Sequence, residues 1–154
     1  MNPMNPPART ASRRKQDTLD RLHGDVDAWV ATAGDDVPYM VPLSFLWDGA
    51  TLLVATAAES PTGRNLRSTG RVRLGIGPTR DVVLVEGSVE ALTPAELPTA
   101  VGDAFAAKTD FDPRRLTTPY LYFRIRPLRV QAWREVNEIE GRDLMRDGHW
   151  LVAD

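Results

Sequence analysis

The chain has 154 residues, 42% hydrophobic and 26% charged, with a formal net charge of −2, the composition of one ordinary globular domain. That charge excludes a global pull toward nucleic acid or an anionic membrane surface, and no apolar run nears the roughly 20 residues that cross a bilayer. Cysteine is absent, so disulfides and thiolate chemistry are excluded, and the two histidines, His23 and His149, lie too far apart in sequence to suggest a metal site.

Residues 1–15 (MNPMNPPARTASRRK) carry Arg9, Arg13, Arg14 and Lys15 against no acid. They read as a disordered basic tail, either a solubilising leader or an anion-binding arm. The tail has no secretory apolar stretch, which together with the missing cysteine fits a cytoplasmic protein. Residues 16–154 read as the domain. A short helix is expected over 16–23, with Leu19 and Leu22 on one side.

Strands then dominate. Residues 26–33 form the first, and 37–45 (VPYMVPLSF) the second, with Val37, Tyr39, Val41, Leu43 and Phe45 on one face. Pro38 and Pro42 leave gaps in any ladder this strand makes. Met40, Pro42 and Ser44 share the other face, against which a flat heteroaromatic ring can lie; an ordinary edge strand reads the same way. Asp48-Gly49 marks a hairpin into 51–56.

A punctuated helix follows: Ser60 at the N-cap, Pro61 at the first helical position and Gly70 just past the end. Strands 71–77 and 82–91 come next. Thr93 and Glu96 form a capping-box pattern before a helix running to about 108. Strands 120–126 and 128–134 are separated by Pro127. On the latter, Trp133 shares a face with Arg129 and Gln131, suited to stacking on a cofactor or packing across an interface. Tyr122 and Arg124 are expected at an interface too. Six or seven strands joined by tight turns argue for a β-barrel, whose closure removes edge strands.

Chemistry concentrates in Thr56–Arg67 (TAAESPTGRNLR). A strand end runs into a helix N-terminus, whose unpaired amides and partial positive charge attract anions. The hydroxyls of Thr56, Ser60 and Thr62 and the guanidinia of Arg64 and Arg67 surround it. The pattern fits a phosphate-sized anion site; it equally fits a capped surface helix. No catalytic triad or paired carboxylate is present, so the catalytic residues are not identified.

The run VPYMVPLSFLWDGATLLVATAAESPTGRNLRSTGRVRLGIG resembles the core signature of the pyridoxamine 5′-phosphate oxidase-like superfamily, flavin mononucleotide (FMN) or deazaflavin (coenzyme F-420) binding split barrels. The resemblance covers roughly residues 15–135. It implies a mainly β chain with short helices, a six- to seven-stranded antiparallel split barrel, forming a homodimer with the cofactor at the interface. It implies an FMN- or F-420-dependent oxidoreductase acting on a small conjugated substrate, with no nucleic-acid or membrane partner. Met40, Val41, Pro42 and Leu43 would meet the ring system. Thr56, Ser60, Thr62 and Arg64 would meet the phosphate, with Asn65 supporting the loop and Arg67 and Trp133 as further candidates. Thr62 stands where many relatives place a lysine, which keeps a second reading open: a non-enzymatic barrel carrying flavin, heme, tetrapyrrole or lipid. Arg146-Asp147-Gly148-His149 matches the true oxidase's substrate-binding arginine and histidine only loosely, so vitamin B6 oxidation is not expected.

Overall fold

The computed structural model describes residues 6–153. Three helices, α1 (Ala11–Gly24), α2 (Pro61–Thr69) and α3 (Thr99–Thr109), accompany nine strands: β1 (Asp27–Gly34), β2 (Val37–Ser44), β3 (Leu46–Trp47), β4 (Leu52–Ala57), β5 (Arg71–Ile76), β6 (Val82–Leu92), β7 (Tyr120–Trp133), β8 (Asp143–Arg146) and β9 (His149–Trp150). The strands form one antiparallel sheet in the order β2-β1-β5-β6-β7-β4-β3, with β8 and β9 branching from β7. The sheet curls into a half-barrel. No ladder joins its two ends, although β2 comes back to run beside β4.

Alternation places the core. Ala28 and Val30 of β1, Leu74 and Ile76 of β5, Val83 and Val85 of β6, and Phe123 and Ile125 of β7 point into the barrel with Leu52 and Val54 of β4. The opposite faces of β4 and β7 are buried as well: Leu53, Ala55 and Tyr122 pack beneath α3 against Leu97 and Phe105. Tyr122 is therefore fully buried rather than at an interface. It meets Phe105 edge-to-face, with centroids 5.6 Å apart.

Several expectations are corrected. Pro127 does not divide two strands. β7 is continuous, and its irregularity is a bulge where Glu86 pairs with Arg129 but Gly87 pairs with Pro127. The capping box at residue 93 exists, with the Thr93 amide and hydroxyl both donating to Glu96 Oε1, but it closes a turn. Pro98 interrupts the helix there, and α3 begins at Thr99. Val37 (62% exposed) and Tyr39 (39%) lie beyond the core although they share the inward face of β2.

The disordered tail is corrected for residues 6–15; residues 1–5 lie outside the described residues. Thr10 caps α1 by accepting from the Arg13 amide. Arg14, Lys15, Thr18 and Leu22 form its buried stripe. Arg14 donates to the Ala132 and Glu138 carbonyls at 3.2 and 2.9 Å. Arg9 forks onto Glu138, with Nε to Oε2 at 3.0 Å and Nη2 to Oε1 at 2.7 Å. Composition counted these cations as unpartnered because Ala132 and Glu138 lie more than a hundred residues away in sequence.

Candidate functional site

α2 sits against β1, β2 and β4 at one end of the half-barrel. Its start is built as expected. Ser60 Oγ accepts from the Gly63 amide at 3.0 Å and lies 3.2 Å from Thr56 Oγ1, and Gly70 ends the helix at φ 66°. Gly63 packs so closely on the end of β4 that a side chain there would collide with the Ala57 and Ala58 carbonyls.

The same construction consumes the donors expected to bind an anion. Pro61 has no N–H, Ser60 Oγ takes the Gly63 amide, and the Ser60 carbonyl takes the Arg64 amide at 2.9 Å. Only the Thr62 amide remains of the first turn. Thr62 is 2% exposed, and among the described residues its hydroxyl makes no hydrogen bond. Thr56 and Ser60 spend their hydroxyls on each other and on the cap. Two of the three expected hydroxyls are thus engaged within the loop itself.

The guanidinia remain. Arg64 is exposed and donates Nη1 to the Glu59 carbonyl at 2.7 Å, which leaves most of its five N–H groups unused. Arg67 folds back onto the Ala58 carbonyl and pairs with the Glu59 carboxylate at 3.2 Å. The donor set fits a phosphate through Arg64 first, with Arg67 partly neutralised. Asn65 does not point outward; its Nδ2 donates to Thr32 Oγ1 of β1 at 3.1 Å.

β2 contributes an open edge. The Phe45 amide donates to Val26 at 2.8 Å just beyond the β1–β2 ladder, so odd-numbered residues of β2 hydrogen-bond to β1. Pro38, Met40 and Pro42 have the other parity and turn their backbone toward the free edge. Prolines are tolerated in just such positions. The Met40 amide is therefore an edge donor flanked by two residues that can only accept. Val41 and Leu43 are half-buried toward the barrel; Met40 (59% exposed) and Pro42 lie on the outer face beside Trp29 (53%).

Trp133 is not brought to this place. Thr56 pairs with Leu121 at one end of β7, and Trp133 pairs with Val82 at the other, roughly 40 Å of strand away. Its ring lies 5.4 Å from the Arg142 guanidinium. Sequence reasoning missed Glu59, Thr32 and Gly34. Glu59 had a visible signal, an acid directly before the capping serine; Thr32 had none, because it meets Asn65 only through the fold.

The pyridoxamine 5′-phosphate oxidase family model matches residues 19–134. A FAD-binding protein from Mesorhizobium loti is 22% identical, with 75% of this chain and 89% of that one covered and a TM-score of 0.59. An F420 reductase is 20% identical, covering 72% and 93%, with a TM-score of 0.56. General stress protein 26 from Bacillus anthracis is 18% identical, covering 77% and 92%, with a TM-score of 0.58. At these identities the likeness establishes the fold. No curated protein matches the chain. Among the described residues no helix is long and apolar enough to cross a membrane, and no cluster of metal-ligating side chains occurs.

Proposed function

The chain belongs to the pyridoxamine 5′-phosphate oxidase family, and from that membership we propose that it is a cytoplasmic flavin- or deazaflavin-dependent oxidoreductase acting on a small conjugated substrate. FMN is the first candidate cofactor and coenzyme F-420 the alternative. The observation that carries the reading is the unladdered seam between β2 and β4, with the Met40 amide on its edge and α2 with Arg64 at its end. Met40, Val41, Pro42 and Leu43 would meet the ring, Arg64 the phosphate, and Arg67 would join once released from Glu59. Thr56, Ser60 and Thr62 shape the loop, and Asn65 holds it to β1. The bound cofactor supplies the hydride chemistry; this chain binds it, orients it and excludes water.

A homodimer is part of the proposal. Trp29 and Met40 form an exposed apolar face beside β2, of the kind that marks an interaction surface. Trp133 can join the seam only from a second copy. The Glu59–Arg67 pair favours a second reading, a barrel that binds its ligand without redox turnover, since it withdraws one cation from any phosphate. Reconstitution separates the two. Protein loaded with FMN or F-420 and supplied with reduced nicotinamide or an electron acceptor should change the cofactor's absorbance catalytically. A bound cofactor that never changes redox state would leave the binding reading.

A further inference from the structure

A second cleft lies outside the barrel wall, far from α2. It occupies about 270 Å³ between α3 and the β3–β4 hairpin. Leu46 and Leu53 form one apolar wall and Val101 and Ala104 of α3 the other, with Arg124 of β7 at the side. Arg124 is half-buried yet, among the described residues, donates no hydrogen bond and closes no ion pair. A guanidinium in an apolar cleft normally finds an anion.

Its two acidic neighbours are accounted for. Asp48 is committed to its own turn: Oδ1 accepts from the Ala50 and Thr51 amides at 2.8 and 2.6 Å, and Oδ2 from the Thr51 hydroxyl at 2.7 Å. Burial alone would raise the Asp48 carboxyl, but those Thr51 and Ala50 bonds hold it below the usual carboxylate range, and Arg124 acts on it only through space. Glu90 sits opposite Arg124 across the β6–β7 ladder but is exposed and makes no ion pair with it.

We propose that this cleft is a binding site for a small amphipathic carboxylate, its apolar body between the Leu46–Leu53 wall and α3 and its carboxylate on Arg124. Small-molecule sites commonly combine apolar walls with a few placed polar groups, and the volume here suits a single ring or a short acyl chain. The site is independent of the cofactor reading, because it lies on the α3 side of β4 and β7 and shares no residue with the seam.

The test is an NMR titration of the full chain with 4-phenylbutyrate and with the uncharged 4-phenyl-1-butanol. Shifts should gather on the methyls of Leu46 and Leu53 and on residues 100–104. The carboxylate should bind about tenfold or more tightly than the alcohol, the worth of a charge-assisted bond. Arg124→Gln should erase that preference, and Ala104→Trp, which fills the cleft from an exposed helix position, should abolish binding of both. No shift at the cleft up to the solubility limit overturns the proposal. So does a carboxylate preference that survives Arg124→Gln, or binding that survives Ala104→Trp.

Discussion

Asn65 of α2 donates from Nδ2 to the Thr32 hydroxyl of β1 at 3.1 Å, across the join between the candidate phosphate loop and the sheet. Thr32 is buried, and Gly34, two residues on, lies so close to Asn65 that any side chain there would collide with its Oδ1. This bond ties the helix carrying Arg64 to the strand paired with β2. Asn65→Ala should cost about 1 kcal/mol, a drop of roughly 2–4 °C in Tm for a chain of this size. Gly34→Ala should displace Asn65 and cost at least as much. Both should weaken cofactor binding without touching a phosphate contact. Thermal unfolding followed by circular dichroism checks the stability; an unchanged Tm in both variants contradicts the tie.

Glu59 restrains Arg67. The pair is exposed, at 3.2 Å, so its worth for stability is small, about 0–1 kcal/mol. Its consequence is for binding, because the carboxylate opposes an incoming phosphate. Glu59→Gln should leave Tm within about 2 °C and tighten cofactor binding severalfold. Weaker binding in Glu59→Gln would show that Glu59 itself supports the site.

Acid should loosen the junction of the two chain ends. Arg9, by its side-chain bonds first, holds the Glu138 carboxyl at a pKa of about 2, below its ordinary 4.5. A carboxylate depressed in the folded state stabilises above its unfolded pKa and loses that contribution as pH falls. The window is therefore about pH 4.5 down to 2, and the amount about 3 kcal/mol. Glu138→Gln should lower Tm at neutral pH by about 5 °C or more and flatten the acid limb of the stability curve. Removal of residues 1–14 should act in the same direction, since it takes away Arg9 and Arg14. A truncated protein as stable as the full chain contradicts the structural role of this segment.

The exposed face around β2 should be an interface. An obligate dimer of this kind buries on the order of 2,000 Å² or more, and Trp29 is central to the face. Light scattering at micromolar concentration should give a dimer for the wild type and a monomer for Trp29→Glu. A monomeric wild type removes the dimer, and with it any role for Trp133 at the seam.

The fold was legible where local rules act alone. Alternating apolar residues placed β1, β5 and β6 within a residue or two, and Ser60, Pro61 and Gly70 bounded α2 because caps and turns need only neighbours. What failed depended on distance. The sequence around Arg9 and Arg14 reads as disordered because Glu138 and the Ala132 carbonyl are remote in the chain. Tyr122 reads as an interface residue because Leu97 and Phe105, which cover it, are remote from it in the chain. In the candidate site, residue identities were legible but their duties were not. The hydroxyls of Thr56 and Ser60 look free in sequence but bond each other and the helix cap, and Pro61 brings no N–H, so Arg64 stands out as the principal candidate cation.

Arg64 therefore carries the central claim, and a fluorescence titration of FMN and of F-420 into the wild type and Arg64→Ala tests it most directly. Arg64 is exposed and its single bond is to the Glu59 carbonyl, so the variant should keep its Tm. The account predicts saturable binding of at least one cofactor to the wild type. Arg64→Ala should bind it roughly 10- to 150-fold more weakly, the loss of about 1.5–3 kcal/mol from one charge-assisted contact. Equal affinity in the two proteins, or no binding of either cofactor to the wild type, would contradict it.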